Sequence, residues 1–280
     1  MQDGAVLMLR EIGVCRSVFA NKRGVPRQGN LAPSTLAKVY LHKTLSETSL
    51  IGLDSFSHVW LIFVFSRNTN KSKVEAWVKQ EDKGSCNFPT KIKAPLLHGK
   101  STGLFSTRSP HRPNPIGMTL AEIKQVNVER RELIVCGIDL CDGTPIIDIK
   151  PFVPGDMPTG SEVVDTTKVR FAPWLKSEEH VRWDISCSPE AQEQIVDFIN
   201  SGGTHFYHTL GDFVQAVKEV LQLDIRAVHQ GRGNDKCTGH TQLHQCVMDN
   251  FQVFFSVYEE EKRICIESGR KYDASTLETV

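Results

Sequence analysis

Val59-Trp60-Leu61-Ile62-Phe63-Val64-Phe65 is the longest apolar run in the chain. At seven residues it is too short for a membrane-spanning helix and suits a buried strand. Similar short β segments flank it at residues 9–18, 37–41, 103–106, 118–128, 132–139 and 146–152, with loops rich in Gly, Pro, Asn and Ser between them. Counted with residues 58–65 they make seven strands with hardly any helical period among them. That pattern predicts a closed or nearly closed antiparallel barrel, because closure removes the exposed edges that short strands would otherwise present. A parallel sheet would need helical crossovers, and the intervening segments are too short and too polar to supply them.

The composition changes to a linker at residues 153–160, and helical periodicity begins beyond it. Ser188-Pro189-Glu190 reads as an N-cap, first helical residue and first-turn acid, with Ile195, Phe198 and Ile199 on one face and Gly202-Gly203 as the stop. A second helix is expected over residues 211–221, its core stripe made of Phe213, Val214, Val217, Val220 and Leu221. Residues 253–257 and 263–267 read as a closing hairpin. The expected fold is therefore mainly β, with an N-terminal barrel domain over residues 1–155 and a smaller α+β domain over residues 156–280.

Of the 280 residues, 40% are hydrophobic and 24% charged, which places the chain among ordinary globular proteins rather than disordered ones. The formal net charge is zero, which argues against an indiscriminate polyanion binder. The distribution is less even. No acid occurs from Ile12 to Ser46 or from Lys83 to Ala121, although both stretches carry lysines and arginines. They could form one positive face toward a phosphate backbone, or be solvated cations on separate faces. Eight scattered cysteines with no CxxC fit reduced thiols in a cytoplasmic setting. The N-terminus lacks the layout of a signal peptide, and neither a membrane nor DNA is expected as a partner.

The densest chemistry lies between Gly103 and Thr119, where Arg108, His111 and Arg112 alternate with three prolines and several hydroxyls. Proline fixes φ and removes donors, so this is a rigid loop, and its two arginines can make forked contacts to carboxylate or phosphate. Pro26, Arg27 and Gln28 lie in the first basic stretch and suit recognition of a charged small molecule. Asp142, Gly143, Thr144 and Pro145 form a turn signature directly after Asp139, and turns at barrel strand ends are where ligands bind. No G-x-G-x-x-G, Walker loop, G-x-S-x-G or H-E-x-x-H occurs, which removes the corresponding nucleotide and hydrolase classes. Cys237, His240, His244 and Cys246 have the ligand types for zinc, but their cramped spacing and strand-like alternation favour a non-metal reading; no metal is expected.

Taken in order, residues 12–17, 24–28, 52–65, 103–120 and 137–151 resemble the TrmO, or TsaA-like, family of tRNA methyltransferases. The resemblance implies a non-Rossmann barrel enzyme that uses S-adenosyl-L-methionine to methylate N6 of threonylcarbamoyladenosine, the modified adenosine at position 37 beside the anticodon. It also implies a homodimer with tRNA as partner. Carried over by motif, Pro26, Arg27, Gln28, Ser66, Arg67, Arg108, Met118, Asp142, Gly143, Thr144 and Pro145 would bind the cofactor. Arg112, Asp224 and Arg226 are candidates for RNA contact, although Ile225 stands where the family motif has proline. N6 is a weak nucleophile and must lose a proton; His58, His111 and Asp148 are candidate acceptors. The alternative is a catalytically inactive barrel that binds RNA or a metabolite.

Overall fold

The computed structural model describes residues 8–67, 71–78, 88–93, 98, 100–157, 169–176, 183–222 and 243–273. The chain divides into two units, Met1–Ser177 and Glu178–Val280. The division falls beyond the linker read from composition, because the chain returns to the barrel after it. Ser57 N–H donates to the Arg170 carbonyl at 2.9 Å, and Arg170 N–H donates back to Ser57 Oγ at 2.8 Å.

The first unit is built on strands β1 (Gly13–Ser17), β2 (Leu36–Leu41), β3 (His58–Val64), β6 (Ile116–Asn127), β7 (Glu132–Cys136) and β8 (Thr144–Pro151). They close into one six-stranded barrel in the order β1-β2-β7-β6-β3-β8, every pair antiparallel. Period-2 alternation fills it. Val59, Leu61 and Phe63 of β3 point inward and meet Cys15, Val39, Ala121, Ile123, Leu133, Val135 and Ile146. Small residues such as Cys15, Ala37 and Ala121 leave room for the larger ones, as a narrow barrel requires. The apolar run is thus buried on one side only: Trp60, Ile62 and Val64 face outward and are half-buried.

Several strand limits differ from the sequence reading. β1 starts at Gly13 rather than residue 9. Residues 103–106 do not join the barrel: a short hairpin of β4 (Lys91–Lys93) and β5 (Ser101–Gly103) ends there, and Leu104–Ser106 is a 3-10 turn. Thr107 makes that turn by donating both its N–H and its Oγ1–H to the Leu104 carbonyl. β7 stops at Cys136 because Gly137 takes φ +70°, which reverses the chain. Helix α1 (Lys71–Val78) between β3 and β4 gave no signal in the sequence; α2 (Pro173–Lys176) is a single turn on the returning segment.

The second unit is α+β. Strands β9 (Asp184–Cys187), β10 (Leu243–Met248), β11 (Phe251–Tyr258) and β12 (Arg263–Lys271) form a sheet in the order β10-β11-β12-β9, with β9 parallel to β12. Helices α3 (Pro189–Asn200) and α4 (Leu210–Leu221) cover one face through Ile195, Phe198, Phe213, Val217 and Leu221. Ser188 caps α3, its Oγ accepting from Ala191 N–H at 3.0 Å with Pro189 as first residue. The β10–β11 turn places Asp249 and Asn250 at positive φ, and the Asp249 carboxylate accepts the N–H groups of His205, Phe206 and Tyr207. Among the described residues no helix is long and apolar enough to cross a membrane.

Two expected outcomes test this packing. Leu61→Ala empties a fully buried barrel position and is expected to lower stability by about 2–5 kcal/mol in denaturant titration. Burial pulls the Asp249 carboxyl upward, but the three backbone donors together outweigh it, and the group sits below its ordinary range. A folded pKa below the unfolded one gives stability that is present above the unfolded value and lost as pH falls through the folded value. Asp249→Asn is therefore expected to flatten the loss of stability on acidification, as followed by thermal melts from neutral pH downward.

Candidate functional site

The antiparallel closure gathers three connections at one end of the barrel. There β1, β3 and β7 end while β2, β6 and β8 begin, as the register pairs Ser17↔Ala37, Val64↔Ile116, Leu36↔Cys136 and Cys15↔Thr144 show. The connections are residues 18–35, 65–115 and 137–143. Pro26, Arg27 and Gln28 lie on the first; Ser66, Arg67, Arg108, His111 and Arg112 on the second; Asp142 and Gly143 on the third. Thr144, Pro145 and Met118 stand at the adjoining strand starts. Segments far apart in sequence thus share one rim.

The first and third connections are locked by a close backbone approach. A Cβ on Gly29 would lie 2.0 Å from the Gly137 carbonyl oxygen, so only glycine fits there. Thr35 reinforces the contact: its carbonyl accepts Gly137 N–H at 2.9 Å and its Oγ1 accepts Ile138 N–H at 3.2 Å. Arg27 and Gln28 are exposed just ahead of this pin.

Asp142 acts as a clamp. Its Oδ1 accepts Ser17 N–H at 3.1 Å, its Oδ2 accepts Arg16 Nη1–H at 3.1 Å, and its own N–H donates to the Phe19 carbonyl at 2.8 Å. Gly143, at φ +75°, donates its N–H to the Cys15 carbonyl at 2.8 Å. Arg67 reaches over this turn, with Nη2 3.5 Å from the Gly143 Cβ position, and donates to the Ala20 carbonyl at 2.9 Å. Thr144 is buried and donates its hydroxyl to the Cys141 carbonyl at 2.7 Å. Burial, aided by the Asp142 charge, pushes the Cys15 thiol up to about 12, so it is an inert filler.

In the proline-rich loop the two arginines divide. Arg112 turns inward, donating from Nε to the Ser109 carbonyl at 2.7 Å and from Nη2 to the Thr107 carbonyl. It braces the loop, which reduces the donors it can offer to a phosphate. Arg108 is exposed and lies close enough to Asp139 to act on its charge. Phe105 is 84% exposed beside them, and Met118 is 47% exposed on the outer wall of β6.

Asp139 is the residue that sequence reasoning passed over, although Gly137 and the Asp142 turn bracket it. Its Oδ1 is buried and has no hydrogen-bond partner among the described residues. Burial lifts its pKa above the ordinary carboxyl range, and hydrogen bonds from the Thr119 hydroxyl and the residue's own N–H, with the Arg108 charge, offset only part of that. A buried acceptor left without a donor costs about 1–3 kcal/mol, more when charged. Such a cost is uncommon in a fold that otherwise satisfies its polar groups.

Two proton-acceptor candidates are not brought into this group. His58 opens β3 at the opposite end, six residues and about 20 Å along the strand from Val64. Its Nδ1 lies 2.8 Å from Ser57 Oγ, and burial lowers its pKa. Asp148 lies on the outer wall, in the row Met118–Ile62–Asp148, and is paired with Lys150 Nζ at 2.8 Å. Asp224 and Arg226 lie outside the described residues, as do Cys237 and His240. His244 and Cys246 are on β10, where the His244 ring stacks on Phe255 and burial pushes the Cys246 thiol up to about 11.

A family model described as the tRNA-methyltransferase O N-terminal domain matches residues 14–156, half of the chain and all six barrel strands except the first residue of β1. A Mus musculus protein named tRNA (adenine(37)-N6)-methyltransferase is 41% identical over 150 residues, covering 52% of this chain and 31% of its own length. An Escherichia coli protein of the same name is 38% identical over 148 residues, covering 51% and 57%. A probable S-adenosyl-L-methionine-binding protein of Pyrococcus abyssi is 32% identical over 151 residues, covering 53% and 70%. The chain thus spans about a third of the mouse relative's length. With its barrel matched throughout, the chain belongs to the family defined by the tRNA-methyltransferase O N-terminal domain.

Proposed function

We propose that this chain is an S-adenosyl-L-methionine-dependent tRNA methyltransferase that acts on N6 of adenosine 37. The observation that carries the reading is the convergence of three loops, with the arginines, the amide and the acidic turn, on one barrel rim. The names of the mouse and Escherichia coli relatives support the reaction, and that of the Pyrococcus protein supports the cofactor.

The residues present fit that cofactor. Its carboxylate calls for forked cations, and Arg27 and Arg108 are exposed on the rim. Its ammonium calls for a carbonyl or carboxylate acceptor, and Asp139 and Asp142 both lie on the third rim connection, each half-buried. Its apolar surface calls for a soft lip such as Met118. When bound, the cofactor supplies an electrophilic methyl on a sulfonium. The chain supplies orientation, and a well-aligned in-line transfer gains much of its rate from that alone. The N6 proton must leave as the N–C bond forms. Of the three candidate acceptors, His111 is the one on the rim loop, and we assign the role to it.

The finer substrate is threonylcarbamoyladenosine, whose carboxylate would meet the same cationic rim, with a homodimer in the cytoplasm as the working form. These features rest on the family resemblance.

Transfer of labelled methyl from S-adenosyl-L-methionine to tRNA carrying threonylcarbamoyladenosine tests the reading. Label in N6 of that nucleoside is the expected result. Cofactor binding with no transfer would favour the inactive binding barrel. Arg108→Ala is expected to cut kcat/KM at least about a hundredfold while leaving the thermal midpoint unchanged, since the loop is braced by Arg112. Asp142→Ala is expected to lower both activity and midpoint, since it opens the clamp on Ser17 and Arg16.

A further inference from the structure

Where the β4–β5 hairpin runs into the proline-rich loop, the second rim connection holds an aromatic ring in water. Phe105 is 84% exposed, whereas its neighbour Leu104 is buried. The backbone on both sides of the ring is fastened. Leu104 N–H donates to the Thr90 carbonyl at 2.9 Å, which ties the turn to the residue before β4. Thr107 holds the Leu104 carbonyl with its N–H at 3.1 Å and its hydroxyl at 2.8 Å, and Arg112 donates to the Thr107 carbonyl in turn. Among the described residues no ring stacks on Phe105 and no cation lies over it. The charge beside it is of one sign. β4 and β5 pair Lys91 with Gly103 and Lys93 with Ser101, so the two lysines share one face of the hairpin, and both are exposed. Lys100 is exposed just before β5. None of these three lysines has an ion pair among the described residues, and no acid occurs from Lys83 to Ala121 to supply one locally.

Resting on the tRNA reading above, we propose that Phe105 is a stacking platform for an unpaired base of the anticodon loop, and that Lys91, Lys93 and Lys100 hold the phosphates around that base. The pairing of ring and charge selects the partner. An unpaired nucleotide offers a flat π-face and an anionic phosphate together, which is what an exposed ring beside unpaired ammonium groups complements. A paired duplex offers the phosphates but keeps its base faces stacked inside. A second copy of this chain meeting here in a twofold contact would bring lysine against lysine, and like charges set face to face oppose association. The position fits as well, because Phe105 lies three residues before Arg108, on the connection assigned to the cofactor end, and adenosine 37 lies in a single-stranded loop. The anchored turn contributes preorganisation: the ring is held outward before RNA arrives, so little order has to be gained on binding.

The test uses the full 280-residue chain with three probes: a labelled anticodon stem-loop RNA, a fully paired RNA duplex of the same length, and S-adenosylhomocysteine. Phe105→Ala is expected to bind the stem-loop at least about fivefold more weakly than the parent, and the duplex and S-adenosylhomocysteine within about twofold of it. Phe105→Trp, which keeps a flat ring, is expected to bind the stem-loop within about twofold of the parent. The triple variant Lys91→Gln, Lys93→Gln, Lys100→Gln is expected to weaken both RNAs and to flatten the slope of log affinity against log salt by about two. Equal weakening of stem-loop and duplex by Phe105→Ala, or undiminished binding of the stem-loop, overturns the proposal. Weaker binding of S-adenosylhomocysteine assigns the ring to the cofactor, and a changed oligomeric state in size-exclusion chromatography assigns it to a contact between copies; either result overturns the proposal too. A parent chain that methylates tRNA while Phe105→Ala behaves like it leaves the proposed function standing and removes this inference alone. A parent that neither binds the stem-loop nor methylates tRNA removes both.

Discussion

The pairing of β1 with β8 is the constraint on which the rest depends. It is the seam that closes the barrel, and it is short: Gly13, Val14 and Cys15 against Ile146, Pro145 and Thr144. Pro145 has no N–H to give to a ladder, so the seam is weak where it is most needed. The Asp142-Gly143 turn makes up the deficit, binding the Ser17 N–H, the Arg16 guanidinium and the Cys15 carbonyl. The same two turn residues that seal the barrel also fix where the third rim connection ends. Sealing and site-building are one set of bonds, and for that reason an acidic turn with the sequence of an ordinary β-turn belongs to the functional end of the molecule.

Much of this was legible in the sequence because it follows from periodicity. The alternation in residues 58–65 and 118–128 and the lack of helical period gave a closed antiparallel barrel, and Ser188-Pro189-Glu190 gave the start of α3. What escaped has physical reasons. Residues 103–106 have strand-like composition, but Thr107 folds back on Leu104, and side-chain capture of a carbonyl has no period to detect. The amphipathic pattern of α1 is too weak to announce a helix between polar loops. His58 stood level with His111 and Asp148 as a candidate acceptor; the register puts it at the far end from the rim loops. Register is a pairing property, and no single segment carries it.

The rim shows how identical residue types are separated by their surroundings. Arg108 and Arg112 are equivalent by composition, four positions apart in one loop. The prolines at 110, 113 and 115 remove backbone donors, leaving carbonyls that need partners, and Arg112 takes two of the neighbouring ones. A cation that serves as the loop's internal donor stiffens the loop, and the stiffened loop can then hold Arg108 outward. The arginine that appeared free for RNA is the one that makes the other available. Sequence reasoning could identify the pair but not the division, since which arginine turns inward depends on where the carbonyls face.

The two aspartates complete the same logic with opposite charge. A carboxylate whose oxygens are both donated to is an architectural element; its charge is neutralised within the fold, and changing it costs structure. A partly buried carboxylate with fewer donors is pushed toward its neutral form. The raised pKa of Asp139 and its partnerless Oδ1 have one cause: burial disfavours the ion, and the Thr119 hydroxyl, the residue's own N–H and the Arg108 charge compensate only in part. Here the division follows from geometry, because Asp142 lies on the seam, where it meets the Ser17 N–H and the Arg16 guanidinium, and Asp139 lies just past the left-handed Gly137, where the N–H groups of Gly137 and Ile138 go to Thr35.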